Sequence, residues 1–127
     1  MRNIVLTTVL SLVATAIATT QSIDVVFDVV QFRTMSKHVR WELHYAIPDT
    51  AITYVLGSNQ YVGQLDFDIS ISNPVSDVVR RRWTATASAS SSTPTHSSFL
   101  TDMQAFELEP AQYSVTLIVT DVNNTGK

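Results

Sequence analysis

Five consecutive apolar positions at a spacing of two give the clearest signal in this chain. In "KHVRWELHYAI", Val39, Trp41, Leu43, Tyr45 and Ile47 alternate with His38, Arg40, Glu42, His44 and Ala46. Successive side chains of a strand point to opposite faces, so this pattern predicts a half-buried β-strand and fits no helical period. The same period returns in "YVGQLDFDISI". It sends Tyr61, Gly63, Leu65, Phe67, Ile69 and Ile71 inward and Gln64, Asp66, Asp68 and Ser70 outward. "DVVRRRWTATA" alternates around Val79, Arg81, Trp83, Ala85 and Ala87. In "IDVVFDVVQF", Val25, Phe27 and Val29 lie on one face with Val26, Val30 and Phe32 behind, which predicts burial on both sides for part of its length. "ITYVL", "FLTDMQAFELE" and "YSVTLIVTDV" complete the set.

Breakers separate these runs: Pro48-Asp49, Gly57-Ser58-Asn59, Asn73-Pro74 and Asn123-Asn124-Thr125-Gly126. "SASSSTPTHSS" has no apolar anchor and reads as a solvated loop. About seven short strands, with turns every 8–12 residues or so, predict an all-β fold: an antiparallel β-sandwich of immunoglobulin/fibronectin-like kind. In such sandwiches a tyrosine at the start of a strand turns its hydroxyl back onto upstream backbone and locks the crossover between sheets. "LEPAQYSV" has the parts, with Leu108 as anchor, Pro110-Ala111 as corner and Tyr113 as lock.

Composition narrows the compartment. The 127 residues suffice for one domain. Hydrophobic residues make up 45%, enough for a core, while charged residues at 15% fall below the roughly 25% of ordinary globular proteins. A net charge of −3 argues against a nucleic-acid partner, and the absence of cysteine excludes disulfides, thiolate metal sites and a thiol nucleophile. "MRNIVLTTVLSLVATAIATTQS" has Arg2, an uncharged apolar stretch from Ile4 to Ala18, and Ala14-x-Ala16-x-Ala18. That is the pattern of a secretory signal peptide over residues 1–18, cut after Ala18, with residues 19–127 as the sandwich domain. Its removal leaves seven basic against eleven acidic residues, a charge of −4. The product is exported to the periplasm or beyond and meets the membrane only in transit.

The search for chemistry returns structural readings. His38 and His44 are roughly 20 Å apart along an extended chain, too far to share a metal ion, and His96 lies in the Ser/Thr loop. Asp66 and Asp68 share an outward face, where acidic residues keep a strand soluble, and Asp24/Asp28 form a second close pair. No G-x-S-x-G elbow or phosphate-cradling glycine loop is present. Asn123-Asn124-Thr125 has the form of a glycosylation sequon. The basic run "RRRW" reads as a charged edge strand that resists sheet-to-sheet association, with one Arg stem packed over Trp83. The chain therefore offers no catalytic residues, metal ligands or cofactor site.

In order, "FDVVQFR", "HVRWELHYAIPDTAITYV", "YVGQLDFDISISN", "VVRRRWTATAS" and "SSFLTDMQAFELEPAQYSVTLIVTDVNNTGK" resemble the N-terminal region of bacterial GWxTD-domain proteins. The shared features are Tyr45-x-Ile47-Pro48, Trp83 in the arginine-bearing strand, and the corner from Leu108 to Tyr113. The corner glycine of that family is Ala111 here, where a positive φ would be strained, and the Gly-Trp-x-Thr-Asp motif is absent. The resemblance implies an exported bacterial protein of uncharacterised function and supplies no catalytic residues. "TDVNNTG" reads as a hairpin turn without a returning strand, which predicts a fragment of a longer protein with one sheet edge open.

The expected function is thus a non-catalytic interaction or scaffold module, whose partner is a protein or another domain of the same longer chain. Its candidate contact residues are Arg40, His44, Arg80 and Arg82. The alternative is a carbohydrate-binding or accessory domain of an exported enzyme. That reading needs exposed aromatic rings, of which Tyr54 is the best candidate, since Trp41, Trp83 and Tyr61 fall on inward faces.

Overall fold

Alternation becomes a strand wherever one face can be buried against a second layer, and this chain supplies two layers. A computed structural model describes residues 3–11, 13–18, 23, 25–35, 37–75, 77–95 and 98–124. Among them are nine strands: β1 (Asn3–Ser11), β2 (Val13–Ala18), β3 (Val26–Arg33), β4 (Val39–Pro48), β5 (Tyr54–Leu56), β6 (Tyr61–Ser72), β7 (Asp77–Ala89), β8 (Phe99–Leu108) and β9 (Tyr113–Asp121). A single 3-10 turn at Asp49–Ala51 separates β4 from β5, so only the Tyr54–Leu56 part of "ITYVL" is strand.

Every pairing is antiparallel. The smaller sheet runs β3-β4-β8. In the larger one β6 is central, with β7 on one flank and both β9 and the short β5 on the other. Beyond β9 come β1 and then β2. The chain is therefore all-β, with two antiparallel sheets packed against each other.

The predicted inward positions form the core between them. Trp41, Leu43, Tyr45 and Ile47 of β4 meet Leu65, Phe67, Ile69 and Ile71 of β6 and the odd-numbered residues of β9. Each of these side chains contributes about 1.5–3 kcal/mol on full burial. Rings bridge the layers, with Tyr45 4.8 Å from Phe67 and Trp41 edge-on to Tyr113 at 5.5 Å, while within the larger sheet Phe67 stacks on Trp83 at 4.9 Å.

One expectation is corrected here. β3 packs on the core by one face only, through Phe27 and Val29, because the smaller sheet meets the larger one on a single side; Val26 is 65% exposed and Phe32 46%. In the intact chain β1 pairs along one flank of β9, from Asn3↔Thr120 to Leu10↔Tyr113. His96, Asp24 and Thr125 lie outside the described residues.

Candidate functional site

Tyr113 sits at the first position of β9, and its hydroxyl donates to the Glu109 carbonyl at 2.7 Å. The ring is buried against Trp41, and burial raises the hydroxyl's pKa, with the nearby Glu109 adding to the effect. The lock anticipated from "LEPAQYSV" is formed, and its role is to hold the β8–β9 crossover.

The four candidate contact residues fall into two separate groups. Arg40 and His44 flank Glu42 on the outward face of β4. Arg40 Nε donates to Glu42 Oε1 at 2.9 Å, and His44 Nε2 lies 3.1 Å from Glu42 Oε2. The Arg40 hydrogen bond, with that of His44, holds the Glu42 carboxyl below its ordinary pKa. Arg80 and Arg82 stand on the outward face of the other sheet and converge on Asp68. Arg80 grips both carboxylate oxygens at 3.2 and 2.8 Å, and Arg82 Nε reaches Oδ2 at 2.8 Å. The register explains the convergence, since Asp68 is directly opposite Arg82 and diagonal to Arg80. Arg80, then Arg82, holds the Asp68 carboxyl below its ordinary range. Because the two groups face away from the core on opposite sheets, they do not form one contact surface.

Arg81 points the other way, toward the second layer. Its guanidinium lies 4.2 Å from the Phe106 ring centre and donates to Gln104 Oε1 and the Ala105 carbonyl. The guanidinium thus makes a cation–π contact across the layers. Trp83 stacks on Phe67 and donates from Nε1 to the Tyr45 hydroxyl at 3.1 Å. Tyr45 in turn donates to Asp102 at 3.2 Å, so one chain of hydrogen bonds joins β7, β4 and β8. Burial pushes the Tyr45 pKa up to about 12, opposed by the Trp83 bond and reinforced by Asp102.

Sequence reasoning missed the polar anchor at the far end of β9. Asp121 is fully buried, and its carboxylate accepts from Thr53 N at 2.9 Å and Asn123 N at 3.1 Å. Asn123 gives its side-chain amide to the carbonyls of Thr53 and Val62, both at 3.0 Å. Together they fasten the approach to β5 onto β6 and β9. The signal was available, because Asp121 continues the inward series 113, 115, 117, 119. Both amide hydrogens of Asn123 are engaged, so a sugar on that nitrogen would displace one of these bonds; the sequon-like triplet has a structural use.

Tyr54, expected to be exposed, is 5% exposed. Its ring lies over Gly63, its cross-strand partner. A Cβ at position 63 would sit 2.5 Å from the Ile52 methyl and 3.2 Å from the Tyr54 ring, so glycine there makes room for the aromatic. The Tyr54 hydroxyl is buried without a hydrogen-bond partner among the described residues. Burial, then the nearby Asp49 carboxylate, pushes its pKa up to about 12. Asp49 itself accepts from the Ser98 hydroxyl. On the outward side of β6, Asp66 accepts from the Thr84 hydroxyl at 2.7 Å, so both aspartates of the Asp66/Asp68 pair serve cross-strand bonds. No group of three metal-ligating side chains occurs among the described residues.

No family model matches the chain, and neither a curated protein nor a solved structure similar to it was found.

Proposed function

We propose that the chain is an immunoglobulin/fibronectin-like β-sandwich that serves as a non-catalytic interaction or scaffold module of an exported bacterial protein, of the kind the GWxTD resemblance implies. The observation that carries this reading is the tyrosine lock at Glu109–Tyr113. It comes with a strand order in which β3, β4 and β8 face β7, β6 and β9, the arrangement of such sandwiches. Acidic side chains also serve structure: Asp66 and Asp68, which the sequence singled out, and Asp102 and Asp121, which it did not, each accept a bond that holds strands or layers in place. The carbohydrate-binding alternative loses its best platform because Tyr54 lies under the surface.

A partner of this module would meet one outward face, either at Arg40 and His44 or at Arg80 and Arg82. Photo-crosslinking side chains at Met103 (smaller sheet) and Thr86 (larger sheet), in cells that export the protein, test this. Crosslinks from one face to one protein of the same compartment are expected. A protein retained in the cytoplasm, or no crosslink from either face, would overturn the reading.

A further inference from the structure

The two long flanks of the larger sheet are built differently. The β7 flank carries Arg80, Arg81 and Arg82 in succession, the charged surface that keeps a strand edge from pairing with foreign strands. The β9 flank has none of those protections. From Tyr113 to Thr120 it contains no charged residue and no proline, and its pairing with both β6 and β1 runs without a register shift. In the intact chain β1 occupies that flank over eight residue pairs. The register sets Ile4, Leu6, Thr8 and Leu10 opposite Val119, Leu117, Val115 and Tyr113, the buried series of β9.

We infer that the outer flank of β9 is a strand-accepting site. β1 fills it before export. Once residues 1–18 are removed, it takes an uncharged extended segment of a partner protein, antiparallel to β9, with apolar side chains at alternate positions. This rests on the export reading, because cleavage after Ala18 removes β1 and β2 together. Removal would leave a row of backbone N–H and C=O groups unpaired along a flat apolar strand. Strand addition repairs such an edge, with main-chain hydrogen bonds supplying affinity and the alternate side chains specificity. The seated β1 shows the occupant's chemistry: about eight residues, uncharged, with Ile4, Leu6 and Leu10 apolar and Thr8 the one polar residue in the series opposite the buried positions of β9.

The test uses isotope-labelled protein exported by its own leader, with its N-terminus fixed by intact mass. It is titrated with a peptide of residues 3–11 flanked by lysines, and with the same peptide carrying Leu6→Pro and Thr7→Pro. One of two neighbouring N–H groups must face β9, so the double proline removes a ladder bond whichever it is. The parent peptide is expected to shift the Tyr113–Thr120 amides and slow their hydrogen exchange, and the proline peptide to bind at least tenfold more weakly. A shortened chain that folds only when the parent peptide is added would meet the same expectation. A mass that still includes residues 1–18 overturns the cleavage after Ala18 and the external occupant with it. A shortened chain whose β9 amides ignore the peptide overturns the strand-accepting site alone. So does a dimer, seen by sedimentation, in which those amides are already protected by a second copy.

Discussion

The inward and outward faces of the sheets use the same polar groups at very different stakes. Outside, Asp68 is held by two arginines and Glu42 by an arginine and a histidine, in water that screens each pair. Inside, Asp121 has no ion pair among the described residues and accepts from two backbone N–H groups where no water reaches. Exposed ion pairs are worth about 0–1 kcal/mol, whereas a buried polar group deprived of its partner costs about 1–3 kcal/mol. The number of charges in a cluster therefore says little about its importance; position relative to the core decides it.

The largest effect should come from Asp121→Ala. It strands the N–H groups of Thr53 and Asn123 and frees the approach to β5, at a cost of about 3 kcal/mol. Urea denaturation should show the lower midpoint, with Asp121→Asn retaining part of the loss because one amide oxygen can still accept. A fall of less than about 1 kcal/mol would remove the contrast between the faces.

Gly63→Val ranks next, at about 2 kcal/mol, because the new side chain meets Ile52 and Tyr54 in a packed layer. The fluorescence of the folded state should also shift as Tyr54 is displaced. Tyr113→Phe keeps the ring against Trp41 and removes only the bond to Glu109, about 1 kcal/mol by thermal or urea unfolding.

The buried tyrosines also predict an alkaline limit. An unfolded tyrosine ionises near pH 10, whereas Tyr45 and Tyr54 in the fold hold their protons up to about 12. The folded state binds more protons, so this contribution is present below pH 10 or so and is lost as pH rises toward 12. Unfolding midpoints measured across that window should fall, and Tyr45→Phe should fall less steeply.

The smallest effect belongs to the outer clamp. Arg82→Ala should change stability by no more than about 0.5 kcal/mol and lose even that in high salt. Asp68 and Glu42 have lowered pKa values, so their contribution exists above the ordinary carboxylate range and disappears as pH falls through their folded values. An acid titration of Asp68→Asn should therefore run slightly flatter than that of the parent.

The pattern along β4 and β6 carried most of the fold, because a period of two with bulky apolar residues leaves a single choice of inward face. Tyr113 was legible for a related reason: corner, anchor and ring stand together in a few residues. Other assignments failed where burial depends on what lies beyond the strand. Tyr54 was placed at the surface because three strand residues give too short a pattern to orient it, and its cover comes from Gly63 on the neighbouring strand. Val26 and Phe32 looked buried because nothing local says that the smaller sheet is covered on one side only.

By itself, then, the sequence determined the strands from β3 onward, the inward residues of β4 and β6, the crossover lock and the absence of thiol chemistry, since each follows from neighbours along the chain or from composition. Only the tertiary structure decided which polar groups matter. It separated Arg40 and His44 from Arg80 and Arg82, sent Arg81 across to Phe106, and brought Asp121 to the backbone of Thr53, 68 positions away. It also seated β1 on β9. Sheet pairing joins residues far apart in the chain, and the environment that sets the worth of a charge or an edge exists only after that pairing is made.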